Sequence, residues 1–178
     1  MFIIDGILID LPDDVCIKMY DTIEKHIDAV RKFGEGIVPS NQLDIHDASK
    51  FSIEEFYGYA RHFHGDRQDP NAFASAWLHH IHNNKHHWQY YIFPDNYHLK
   101  DSDMQGGIVR MSDVYVLEML ADWQAAGFVY TGNKDLSPWL TKNVPNIMLH
   151  TDSADFLRNE LYYMGYKDLY DLKFKNEI

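Results

Sequence analysis

The sequence predicts an all-α domain, a helical bundle with a short N-terminal extended arm or hairpin. Three observations predict the helical class. Apolar residues recur at helical spacing along most of the chain, the periodic stretches are bracketed by capping residues and by glycine or proline stops, and strand signal is confined to the first dozen residues. With 178 residues, 46% hydrophobic and 24% charged, there is enough material for one domain with a sizeable core. We read residues 1–178 as that domain, with an arm over 1–12, a core over 13–150 and a C-terminal helical piece over 151–178.

The opening "FIIDGILIDL" has two short apolar runs around Asp5-Gly6, a turn pair that suits a hairpin. A helix then starts at Asp13 or Asp14 and runs to about Phe33, with Cys16, Ile23, Ile27 and Val30 on one stripe and Gly34 as its stop. His26 lies inside that stripe. After the loop around Pro39 a short helix is expected over residues 43–48, and Ser52 with Glu55 forms an S-x-x-E capping box for a helix over 53–63. "HDASKF" at 46–51 thus sits at a helix junction. Asp69-Pro70 opens a third long segment, 71 to about 91, stopped by Pro94, and residues 94–110 with Gly106-Gly107 read as a long loop. Ser112 caps "DVYVLEMLADWQAA" and Gly127 closes it. Ser137-Pro138 opens a short helix, and "SADFLRNELYYMG" is the last, with Gly165 as its stop.

Composition narrows the function classes. A formal charge of −11 disfavours a broad grip on duplex nucleic acid, which depends on clustered Lys and Arg. The single cysteine, Cys16, has no internal partner and reads as packing. The opening residues lack a secretory leader and no apolar run approaches a membrane span, so a cytoplasmic setting is expected, without a membrane partner. Nothing in the composition fixes an oligomeric state.

The histidines are the anomaly, since seven of eleven fall between residues 62 and 87. At about 100° per residue from Phe73, the positions Trp77, His80, Ile81, Asn84, His87 and Trp88 share one side of the third long segment, while His79, His82 and His86 share the other. The apolar side is the buried one, so His80 and His87 point inward and the other three face solvent or a cleft rim. On a straight helix seven residues rise roughly 10 Å, long for two ligands of one ion. Either Asn83-Asn84 breaks the helix and brings His87 back, or one of the two acts from outside the coordination sphere; His62 or His64 are alternatives for the earlier position.

In the apolar "VLEMLADW" stretch, Glu118 and Asp122 lie four residues apart, on one face. Buried carboxylates need a metal or a basic partner; Asp122 is the stronger ligand candidate. In chain order the inward set is His26, His46-Asp47, His80, His87 and Asp122. Four imidazoles and two carboxylates suit one or two divalent ions of the Mn, Fe, Mg, Co or Zn kind. Competing motifs fail: "HNNKH" lacks the glutamate of a zinc protease, and neither a nucleophile elbow nor a glycine-rich phosphate loop is present. Trp77, Trp88, Tyr90, Tyr91 and Trp123 are expected mainly as core contacts, one or two of them lining a pocket.

This H…HD…H…H…D order resembles the HD superfamily of helical metallohydrolases, over about residues 20–150. "HDASK" resembles the HD-x-x-K variant of HD-GYP-type phosphodiesterases, and "HHW" their paired histidines; the GYP part is absent. "HDASKFSIEEFYGYARHF", "AWLHHIHNNKHHWQYY" and "VLEMLADW" resemble a family of small bacterial and phage proteins of that superfamily. The resemblance implies that His26, His46, Asp47 and Asp122 hold one metal, and that Asp47 bridges to a second held by His80 and His87. It implies a phosphohydrolase acting through metal-activated water on a small phosphate ester, expected to be a nucleotide. Lys50 is expected to hold a phosphoryl oxygen, and Glu118 to orient a ligand or accept a proton. His79, Lys85 and His86 are candidate leaving-group or specificity contacts. Two other classes stay open: an HD-fold di-iron oxygenase, and a non-catalytic metal-containing interaction module.

Overall fold

The computed structural model describes residues 1–93, 104, 106–169 and 171–177. It is all-α apart from a two-stranded N-terminal hairpin, as the sequence predicts. Strands β1 (Ile3–Ile4) and β2 (Ile7–Leu8) pair antiparallel, Ile4 opposite Ile7. Asp5 and Gly6 both take positive φ, 52° and 78°, the geometry of a two-residue hairpin turn.

Helix α1 (Asp13–Gly34) buries Cys16, Met19, Ile23, His26, Ile27 and Val30, with acids in its first turn and Arg31 and Lys32 in its last. The next helix differs from expectation. Instead of spanning 43–48, α2 is Ser40–Leu43, one turn started by Pro39, and residues 44–47 are a turn that leads into a 3-10 segment, Ala48–Phe51. The reason is Asp47, whose φ of 57° is left-handed and interrupts any continuous helix there.

Helix α3 (Ile53–His64) begins where the sequence places it, yet its capping box does not form. Ser52 is extended but its Oγ has no hydrogen-bond partner among the described residues, and Glu55 turns inward and is fully buried. Gly58 allows α3 and α4 (Pro70–Asn83) to touch, because a Cβ there would lie 2.4 Å from the Ala72 carbonyl oxygen. Asp69 caps α4 by accepting from the Ala72 N–H.

α4 ends at Asn83 rather than near 91. Asn83 and Asn84 donate their side-chain amides to the His79 and His80 carbonyls (2.8 and 2.9 Å), satisfying the open end, and Asn84 is extended. A turn carries His86 and His87 into a 3-10 segment, Trp88–Tyr91. Of the expected loop, Pro94 and most of 94–105 lie outside the described residues; Gly106 and Gly107 take positive φ, and Ile108 bridges Ile92.

Helix α5 (Asp113–Thr131) runs through Gly127, where a stop was expected, and closes on left-handed Gly132. A mid-helix glycine costs about 1 kcal/mol, which the flanking packing offsets: Ala125 is fully buried and Phe128 meets Phe33 edge-on. Helices α6 (Ser137–Asn143) and α7 (Thr151–Tyr163) follow as expected, with Gly165 at φ 98° beyond the last.

The hairpin, α1, α3 and α4 share one apolar cluster around Phe56, and α5, α6 and α7 share another around Leu120, Leu140 and Leu157. A third, smaller cluster ties α1 and α2 to α5. Among the described residues no helix is long and apolar enough to cross a membrane.

Candidate metal centre

α1, the 44–47 turn, α4 with the turn after it, and α5 bring their histidines and carboxylates to one buried place. His26, His46, Asp47, His80, His86 and Glu118 are each less than 5% exposed. Asp47 is fully buried at the middle. Its left-handed backbone is an uncommon conformation for a non-glycine residue, the kind that the surrounding structure must enforce.

The two oxygens of Asp47 face different partners. On the Oδ2 side stand His26 Nε2 at 3.1 Å and His46 Nε2 at 3.4 Å, and Asp122 Oδ1 is 2.9 Å from His26 Nε2. On the Oδ1 side stand His80 Nε2 and His86 Nε2, each at 3.4 Å, with His87 Nε2 2.8 Å from His80 Nε2. Donors about 2.1 Å from one ion stand roughly 3.0–3.4 Å from each other, close to these spacings, with His46 Nε2 to Asp122 Oδ1 wider at 3.9 Å. They form two sets, His26, His46, Asp47 and Asp122, and Asp47, His80, His86 and His87, that could each hold a metal ion.

Unsatisfied atoms test the fit. His26 Nε2, His46 Nε2, His86 Nε2 and Asp47 Oδ1 are buried without a hydrogen-bond partner among the described residues. Unpaired buried polar atoms are costly and rare, and four converging on one another are accounted for by a cation between them. The residues present therefore fit one or two divalent ions.

Two glutamates fix the rings. His46 donates Nδ1–H to Glu118 (2.8 Å), and His86 Nδ1 is 3.3 Å from the same oxygen. His80 and His79 donate Nδ1–H to the two oxygens of Glu55, at 2.8 and 2.7 Å. An ionised carboxylate only accepts, so each of these Nδ1 atoms carries the proton, and the Nε2 atoms of His46, His80 and His86 are the ones turned toward Asp47. Gln42 also donates to Glu118.

Charge follows the same geometry. Burial opposes ionisation of Asp47, yet His46, Lys50 and His80 hold it well below the usual carboxylate range. Burial opposes the charge on His46, but the Asp47 and Glu118 carboxylates push it up to about 10, so without a cation its Nε2 also carries a proton, one that a bound ion would displace. Burial lowers His80, and burial with the neighbouring histidines lowers His87 further, so both favour the neutral form that a metal ion would need. Lys50 Nζ contacts Asp47 Oδ2 at 2.5 Å and is raised by that carboxylate against the effect of burial.

Glu118 gives a pH prediction. Burial raises it, but hydrogen bonds from His46 and His86 hold it at about 2, against an ordinary 4.5. Its ionised form stabilises the fold above the ordinary value, and that contribution is lost as pH falls through 4.5 toward 2. In chelator-treated protein the melting temperature should drop across this window, and Glu118→Gln should flatten the drop; identical slopes would remove Glu118 as its source.

The predicted site residues thus converge, with corrections. His86, assigned to the outward face, is 2% exposed and enters the second group. His79 donates to Glu55, Lys85 lies over the Tyr115 ring at 5.8 Å, and neither is among the residues lining the cavities beside the centre. Trp77, placed on the buried side, is 38% exposed. His62 stacks on Phe73 and His64 meets Thr22 Oγ1 at 3.0 Å, so neither replaces His80. Glu55 was missed because S-x-x-E reads first as a cap. Signals for His86 were present in the Asn83-Asn84 break and the paired histidines after it.

Two cavities flank the centre and share His26, Lys50, Trp77 and Tyr130 in their walls. The smaller, about 140 Å³, is apolar, between Met19, Ile23, Phe63 and Phe73. The larger, about 380 Å³, reaches His80, His86, His87 and Asp122. Glu118 lines neither; its contacts are with His46, His86 and Gln42.

Fold and site together define a helical protein with a buried histidine and carboxylate cluster able to hold metal ions. The chain belongs to DUF5662, a family of unknown function, which it matches over residues 16–162, a span that contains every donor named above. No curated protein and no solved structure matches it.

Proposed function

We propose that this chain is a metal-dependent phosphohydrolase of the HD type, acting on a small phosphate ester of the nucleotide class. The observation that carries the reading is Asp47, whose two oxygens serve two separate donor groups while Lys50 sits against it at the cavity wall. Bound divalent ions would supply a water ionised near neutral pH and Lewis acidity toward phosphoryl oxygens.

The chain's own residues do the rest. Lys50 lines both cavities and brings a cation to the place where they meet, where it can take a phosphoryl oxygen. Asp47 keeps that ammonium charged and oriented. Glu55 and Glu118 hold His80, His46 and His86 in the tautomer that presents Nε2. Metal charge set against Asp47 and Asp122 would leave a positive pocket in an acidic protein, which suits an anionic ester.

The test is metal analysis of anaerobically purified protein joined to a phosphate-release screen over nucleotides. Metal at one or two ions per chain with phosphate release is expected. Iron together with oxygen consumption would replace this reading with a di-iron oxygenase, and full metal without turnover would favour a binding module. Lys50→Ala should keep its metal while turnover falls by about two orders of magnitude, the scale of one charged transition-state contact. Unchanged phosphate release would remove the phosphate role of Lys50.

A further inference from the structure

All four tryptophans of the chain, Trp77, Trp88, Trp123 and Trp139, line the same cavity that opens onto the histidine and aspartate donors. We propose that this cavity is a subsite for the flat, hydrogen-bonding ring of a nucleoside monophosphate, held beside Trp123 and Trp139, with its one phosphate group at Lys50. What is hydrolysed there rests on the phosphohydrolase reading; binding of the ring does not.

Two of the indoles have an ordinary packing role, since Trp88 and Trp123 lean on the core of α5, α6 and α7. That does not account for the other two. Trp77 is 38% and Trp139 39% exposed, large apolar rings left open at a cavity wall. Trp139 meets Trp123 with centroids 4.6 Å apart at 42°, an angled aromatic wall with room beside it. Aromatic walls of this kind take planar rings by stacking.

The same cavity carries three carboxamides, Gln89, Asn143 and Asn146. Asn143 and Asn146 each donate one N–H to the carbonyl four residues earlier, which leaves the side-chain oxygen and the second N–H to act elsewhere. Gln89 Oε1 has no partner among the described residues. Neutral donors and acceptors beside indoles suit a heteroaromatic base rather than a lipid tail, which would leave the amides unpaired, or a sugar alone, which would leave the aromatic faces bare.

The number of phosphates follows from the cations. Apart from histidines, Lys50 is the only basic side chain in the wall of this cavity among the described residues. Oligophosphate sites gather several cationic or backbone donors along the chain of phosphates. One lysine beside one metal cluster matches a single phosphate group. A volume of about 380 Å³ also falls in the range of small-molecule sites, roughly 300–1,000 Å³.

The tryptophans make the subsite visible without turnover. Adenosine, AMP, ATP and ribose 5-phosphate are titrated into the metal-loaded full-length chain while intrinsic tryptophan fluorescence is read and phosphate release is assayed in parallel. Adenosine and AMP should quench and ribose 5-phosphate should not, and ATP should bind no tighter than AMP. Trp139→Ala, at the exposed rim, should weaken AMP about tenfold, the low end of losing one base-aromatic stack. Asn143→Leu should weaken it as well, and serves if Trp139→Ala misfolds. Absence of quenching by adenosine and AMP, or equal binding by wild type and both variants, would overturn the subsite; tighter ATP binding would overturn the single phosphate. Quenching with no phosphate release from AMP leaves the subsite and removes the phosphohydrolase reading, whereas release from ribose 5-phosphate with the same KM as from AMP does the reverse.

Discussion

Asp47→Ala is expected to abolish bound metal and phosphate release together, with turnover down by about three orders of magnitude. That figure corresponds to losing roughly 4 kcal/mol of charge stabilisation, the scale of metal assistance at a phosphoryl group. The effect should exceed that of any single histidine because Asp47 alone belongs to both donor groups, His26 and His46 lying toward one oxygen and His80 and His86 toward the other. The substitution also takes from the partly buried Lys50 the carboxylate it contacts, leaving only the electrostatic influence of Asp122, and that is itself destabilising. Asp47→Asn separates the two effects, since it preserves shape and keeps one acceptor oxygen for Lys50 while removing the charge and the second acceptor. Metal content by mass spectrometry and melting curves on both variants decide the matter. If Asp47→Ala and Asp47→Asn both retained a full complement of metal, the bridging assignment and the phosphohydrolase reading built on it would fail together.

Most of the candidate donor set was legible because periodicity marks buried faces. His26 lies on the apolar stripe of α1 and Asp122 on the nearly all-apolar α5, and a polar residue there needs a partner. Elements begun or ended by strong local signals, such as the Asp5-Gly6 turn and the Asp69-Pro70 cap, were legible for the same reason: the backbone preference is intrinsic. What the sequence hid depends on tertiary partners. Ser52 and Glu55 have the spacing of a capping box, but Glu55 gains more from the His79 and His80 ring N–H groups than from an N-terminal amide already near solvent. Gly127 has the look of a stop, yet packing around Ala125 and Phe128 carries α5 past it. The short helix over 43–48 failed because no local rule announces that Asp47 will be left-handed; its conformation is set by what its carboxylate must face.

Extrapolating one helix from 71 to 91 had the largest consequence, and it leads to the second large effect. With α4 ending at Asn83, the phase of every later residue is released from the helical sequence, and His86 turns inward to sit 3.4 Å from Asp47 Oδ1 while its other nitrogen lies 3.3 Å from Glu118. His82 stays on the helix and faces solvent. His86→Ala should therefore remove one of two ions and lower phosphate release by more than two orders of magnitude, since it deletes a donor from the second group and a ring that bears on the His46 imidazole at 4.3 Å. His80→Ala should match it, for His80 holds the same oxygen of Asp47. His82→Ala should leave metal content unchanged and stability within about 0.5 kcal/mol of wild type, as surface substitutions usually do. The three variants differ by one imidazole each within seven residues, so a general effect of losing histidine from this stretch cannot imitate the pattern. Metal loss in His82→Ala with retention in His86→Ala would mean that α4 continues through Asn84 in solution, and the second group would have to be rebuilt on the opposite face.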